Sequence, residues 1–156
     1  MRDRRIRWFA VALAALAVGV AQGGKPDFSG TWKLNAAKSD FGAMPAPERT
    51  DKIRHHDPVL LDSYTQSGPR GPFTVDMKYS TDGKETTSSL HGSDLKSIAK
   101  WEGDQLVIDG KLSLNGSEVT LKDRWSLSPD GKTLTIQRHA DTPMGKTEQR
   151  IVLEKQ

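Results

Sequence analysis

Cysteine is absent from the 156 residues. That removes a disulfide framework, a thiolate nucleophile and a thiolate metal site together, and with no lipobox cysteine there is no lipoprotein anchor. Surplus charge is also missing once the first residues are set aside. Lys and Arg number 23 against 20 Asp and Glu, but Arg2, Arg4, Arg5 and Arg7 sit with a single acid, Asp3, in the first 23 residues. The remainder is balanced. It offers no electrostatic footprint for nucleic acid and no polybasic patch for a membrane surface. Neither a Gly-x-Ser-x-Gly elbow, a His-Glu-x-x-His helix nor a phosphate-binding glycine loop occurs. The chain is therefore expected to be no enzyme and to need no metal or cofactor. No repeat, low-complexity tract or long amphipathic helix is visible.

What is present begins with a leader, "MRDRRIRWFAVALAALAVGVAQGG": a basic start, an apolar run from Trp8 to Ala21, then small residues. This reads as a signal peptide over residues 1–23. The run is shorter than the roughly 20 residues of a spanning helix, so no stable membrane insertion is expected after cleavage. The location expected is periplasmic or secreted. Residues 24–156 then form one domain. Short alternating runs recur between Asp82-Gly83, Gly103-Asp104, Asn115-Gly116, Asp130-Gly131 and Met144-Gly145, which is the mark of an antiparallel meander. Strands are expected near 28–34, 50–57, 59–67, 72–80, 84–91, 94–101, 105–114, 117–127, 132–140 and 146–154. Between the first two, Asn35 caps about one helical turn, and Pro45 and Pro47 forbid regular structure.

The faces follow from the turns, because a slip of one residue inverts a strand. Two-residue loops at Asn115-Gly116 and Asp130-Gly131 set Leu106 against Trp125, Ile108 against Asp123, Trp125 against Ile136 and Asp123 against Arg138. A loop at Met144-Gly145 sets Arg138 against Ile151 and Ile136 against Leu153. Thr120, Lys122, Arg124, Gln137 and His139 take the wet face, as do Asp76 and Asp109. The Gly103-Asp104 turn places Trp101 opposite Leu106. The Asp82-Gly83 turn places Tyr79 opposite Thr86 and Met77 opposite Ser88, mixing hydroxyls into the inner side. The facing of residues 50–67 stays open. The fold class is all-β, an up-and-down meander of about ten strands closed into a barrel, since closure removes exposed edges.

The stretch "FSGTWKLN", Phe28 to Asn35, resembles the Gly-x-Trp opening of the calycin barrels, the lipocalins and fatty-acid-binding proteins, and lies closest to the latter's "GTWKL". The whole chain is similar to secreted lipocalin-like proteins of bacteria. The resemblance implies a calycin-like barrel with Trp32 plugging its closed end and a cavity for a small, mainly apolar ligand. In lipocalins the indole packs under an arginine. Arg138 is the inward candidate here, because Arg150 points outward.

Asp123 and Arg138 are the residues that break the greasy wall. Directly opposed and inward, they should pair. A carrier would use Arg138 to read an acidic head group, with Asp123 orienting it; a structural pair is the other reading. Trp125, Trp101, Tyr79, Met77, Ile108 and Ile136 complete the expected ligand wall, alongside Phe73, or else a filled core. His55 and His56 are adjacent on a strand, so they point to opposite faces and read as solvated. His91 lies at a strand end. No histidine is convincingly inward, which weighs against a haem barrel, and an isomerase or cyclase using Asp123 as base lacks a second partner. The rival to the ligand carrier is a ligand-free structural barrel. Oligomeric state is open.

Overall fold

A computed structural model describes residues 24–156, so the leader lies outside the described residues. The domain is all-β. Its strands are β1 (Gly30–Leu34), β2 (Arg49–His56), β3 (Val59–Gln66), β4 (Phe73–Ser80), β5 (Asp82–Leu90), β6 (Ser93–Glu102), β7 (Gln105–Leu114), β8 (Ser117–Leu127), β9 (Thr133–Thr142) and β10 (Gly145–Lys155). All are antiparallel in one sheet of order β4-β3-β2-β1-β10-β9-β8-β7-β6-β5. The first strand pairs with the last, Trp32 opposite Lys155, so the meander curls into a nearly closed barrel. Among the described residues the only connection with regular structure is a 3-10 turn, Ala36–Lys38, whose Lys38 amide is capped by the Asn35 side chain at 3.1 Å.

Alternation drives this architecture. On β6 through β8 the inward residues Leu95, Ala99, Leu106, Ile108, Leu112, Val119 and Trp125 are all buried, and they join Phe28, Trp32, Leu60, Leu134, Ile136, Ile151 and Leu153 in one core. Each large aliphatic side chain buried there contributes roughly 1.5–3 kcal/mol. The expected pairings Leu106–Trp125, Ile108–Asp123, Trp125–Ile136 and Asp123–Arg138 are those observed.

Two registers differ from expectation. Between β9 and β10, Arg138 faces Gln149 and Ile136 faces Ile151, a shift of two residues. The turn is centred on Pro143-Met144, because the Thr142 hydroxyl receives the Met144 amide at 3.2 Å and donates to the Gly145 carbonyl at 3.0 Å. Gly145 thereby becomes a strand residue. An even shift leaves every side chain on its original face.

The second difference is larger. β4 and β5 are joined by a tight turn yet form no backbone ladder, and they are the two ends of the sheet. Asp82 turns its carboxylate onto Ser80 and the Lys84 amide, and Gly83 sits at a bulge with φ of 84°. This splays β5 away. The seam is closed by side chains instead: Ser88 accepts the Lys78 amide at 2.9 Å, and Thr86 donates to the Lys78 carbonyl at 2.7 Å. The hydroxyl-rich run "ETTSS" thus stands in for main-chain partners that a buried backbone would otherwise lack.

Candidate functional site: the barrel lumen

The closed end of the lumen is aromatic. Trp32 is fully buried and donates its indole N–H to the Phe28 carbonyl at 2.9 Å. Phe28 stacks on Trp101 and meets Trp125 edge-on, with ring centroids 5.8 and 5.6 Å apart. The cation over Trp32 is Lys155, 5.4 Å from the ring, which replaces the expected Arg138 contact; Arg138 is engaged elsewhere. Trp101 and Ile136 also leave the expected ligand wall. Trp101 belongs to the end plug, under Lys25, and Ile136 is sealed in the core between Trp125 and Ile151.

His55 corrects another expectation. Its side chain is only 4% exposed and stacks against Phe28. The Phe28 amide donates to Nδ1 at 3.2 Å, and Nε2 lies 2.7 Å from Asp57, which makes it the N–H donor. Both ring nitrogens are occupied, so neither is free to ligate haem iron. His56 and His139 are exposed, and His91 packs on Phe73 at the surface. No cluster of three metal-ligating side chains occurs among the described residues.

Towards the other end lies a polar interior around a cavity of about 40 Å³. Met77, Tyr79, Ile108, Asp123, Trp125 and Arg138, six of the residues expected at the ligand wall, line it. Ser97 faces Gly110 across β6 and β7 on its wall, and Leu95 packs into the space that a side chain at Gly110 would take. Arg138 clasps Asp123 with two parallel hydrogen bonds, Nε to Oδ1 at 2.8 Å and Nη2 to Oδ2 at 2.7 Å. Burial opposes the guanidinium charge, but the Asp123 carboxylate outweighs it and holds Arg138 above its ordinary value.

A second ion cluster faces it from residues 49–64, the segment whose facing the pattern left open. Arg49 makes the same fork to Asp51, at 2.7 and 2.6 Å, and stacks 4.0 Å over the Tyr64 ring. Asp62 on β3 approaches Arg49 only to 3.9 Å. Burial, and after it the charge of Asp51, push the Asp62 carboxyl well above the ordinary aspartate range against the pull of Arg49 and Arg138. Burial likewise keeps the Tyr79 phenol protonated. Asp62 Oδ1, Ser97 Oγ and Trp125 Nε1 are buried without a hydrogen-bond partner among the described residues, and all three residues line the cavity. This cluster escaped the pattern because both faces of "RTDKIRHH" carry charge. The Asp57-Pro58 turn held the missing phase: it sets Ile53 opposite Asp62 and His55 opposite Leu60, and the apolar Ile53 and Leu60 mark the inner face.

No family model matches the chain, and no curated protein sequence does so either. Solved structures do. A secretory abundant heat soluble protein from Ramazzottius varieornatus superposes with a TM-score of 0.63 at 13% identity, covering 86% of this chain and 98% of that one. Zebrafish ileal bile acid-binding protein, complexed with cholic acid, gives 0.58 at 18% identity over 83% and 98%. The chain has the fold of the calycin-like barrels. The fluorescent protein UnaG shares that barrel with a TM-score of 0.54, 19% identity, and coverage of 83% and 96%. Against the expected Gly-x-Trp opening, Gly30 and Trp32 of this barrel stand on β1, where it meets β10.

Proposed function

We propose that this barrel is an exported carrier of a small, mainly apolar ligand, held in the lumen with its polar end among the buried ion pairs. The observation that carries this reading is the set of unpartnered buried polar atoms, Asp62 Oδ1, Ser97 Oγ and Trp125 Nε1, on one cavity whose other walls are Met77, Tyr79 and Ile108. Buried polar groups are normally satisfied, so a cavity that leaves three open is suited to a guest that supplies the partners. A fold neighbour that binds cholic acid lends support. Export rests on the leader. A carrier is favoured over a catalyst because Asp123, the one inward acid considered as a base, is committed to Arg138 through both oxygens.

The cavity is far below the several hundred Å³ of a typical ligand site, so binding requires the wall to yield. The β4–β5 seam is the place where it costs least: no ladder must break, and Met77 and Leu90 flank it, the former an adaptable side chain. The same small volume favours a second reading, a ligand-free barrel with a nearly filled core. Native mass spectrometry of protein taken from its own host decides between them. The carrier should show a co-purifying lipid-sized mass, and lipophiles should quench Trp125 fluorescence. A bare polypeptide mass, with fluorescence untouched by a panel of lipophiles, would leave only the filled barrel.

A further inference from the structure

The lumen contains two guanidiniums, and in barrels of this kind an inward arginine suggests an acidic guest. The surroundings of these two point elsewhere. Arginine recognises a carboxylate best through the fork of Nε and one Nη. Both forks are taken: Arg49 by Asp51 and Arg138 by Asp123. A third carboxyl, Asp62, has no arginine of its own. With Asp62 ionised the cluster carries one negative charge in excess, and with Asp62 protonated it is neutral. A guest carboxylate would have to displace a built-in aspartate that stays buried beside it, or enter unpaired, and both are costly.

The open valences describe what does fit. With the Asp62 proton directed at the neighbouring Asp51 carboxylate, Asp62 Oδ1 is an acceptor, Trp125 Nε1 is a donor only, and the Ser97 hydroxyl is both. All three side chains are more than nine-tenths buried, at 2%, 1% and 3% exposure. A group that donates one hydrogen bond and accepts another completes the set without adding charge. An alcohol or a primary amide has that inventory, and a carboxylate lacks the donor.

We infer that the lumen selects a lipophile whose polar end is an uncharged hydrogen-bond donor and acceptor, a hydroxyl or primary amide, and rejects the corresponding carboxylate. The inference rests on the carrier reading and specifies its ligand class. Burial that raises the Asp62 carboxyl is consistent with a site that holds no spare positive charge.

Octan-1-ol, octanamide and octanoate share a chain and differ in the head, so they separate the two claims. Each is titrated into the full chain at neutral pH, followed by isothermal calorimetry and tryptophan fluorescence. The alcohol and amide should bind about tenfold or more tighter than octanoate, the scale of one buried polar group left unsatisfied. Ser97→Ala, checked for an unchanged melting temperature, should weaken octan-1-ol roughly fivefold, one hydrogen bond's worth, and leave octanoate as it was. Octanoate binding as tightly as the alcohol, or tighter, overturns the head-group inference and leaves the carrier standing. Binding of the alcohol unaffected by Ser97→Ala removes the head from this cluster and also overturns it. No binding by any of the three overturns both.

Discussion

The barrel holds two guanidinium–carboxylate forks of nearly the same geometry, both with contacts of 2.6 to 2.8 Å. Their surroundings differ. Arg138 and Asp123 sit opposite one another on β9 and β8, one cation to one anion, and the Arg138 side chain keeps 25% exposure. Arg49 and Asp51 stand two residues apart on β2 with side chains 5% and 0% exposed, and Asp62 adds a second acid. The first pair has a route to water, whereas the second is sealed and short of cations. What an ion pair is worth therefore follows from access to solvent and the local charge count more than from its hydrogen-bond lengths.

Removing Arg49 should produce the largest effect. Arg49→Met keeps much of the volume but strands Asp51 and leaves Asp62 with only Arg138 to oppose it. The expected loss is about 3–5 kcal/mol, the cost of an uncompensated buried charge, read from urea denaturation. A loss under about 1 kcal/mol would mean that the cluster is wet and that the contrast with Arg138 is empty.

The other fork should break more cheaply. Asp123→Asn removes the charge that holds Arg138 but leaves an amide oxygen to accept one bond, and the exposed part of the guanidinium can recruit water. About 1–2 kcal/mol is expected. A cost equal to that of Arg49→Met would show that Arg138 is as sealed as its counterpart.

The same contrast explains what could be read without coordinates. The Arg138 pair was legible because β7, β8 and β9 are apolar on one face only, so turn positions at Asn115-Gly116 and Asp130-Gly131 fixed the register. Even the two-residue shift at Thr142 left the facing intact. The Arg49 pair was not legible, since Thr50, Lys52 and Arg54 on the outer face of β2 are no more polar than Arg49 and Asp51 on the inner one. The seam was hidden for another reason. An Asp-Gly dipeptide between alternating runs signals a hairpin, and nothing local shows that the Ser80 and Lys84 contacts of Asp82 will splay it. His55 was misplaced because its burial depends on Phe28 and Trp101, both distant in sequence.

The smallest expected effect concerns the acid that makes the two clusters unequal. Asp62 is opposed by Asp51 and faced by Arg49, Arg138 and Tyr64. Burial first, and then Asp51, raise its folded pKa above the unfolded value. The folded state thus keeps this proton to higher pH than the unfolded chain does. Stability from the protonated form is complete below the ordinary aspartate pKa and is lost as pH climbs through the raised one. Asp62→Asn imitates the protonated acid at every pH. Its stability should match the parent in acid and exceed it by on the order of 1 kcal/mol at neutral pH or above, a usual size for relieving a buried polar misfit. Paired urea titrations across that range read the divergence directly. Parallel pH profiles for the two proteins would show that Asp62 carries no excess charge, and with it would go the asymmetry between the forks.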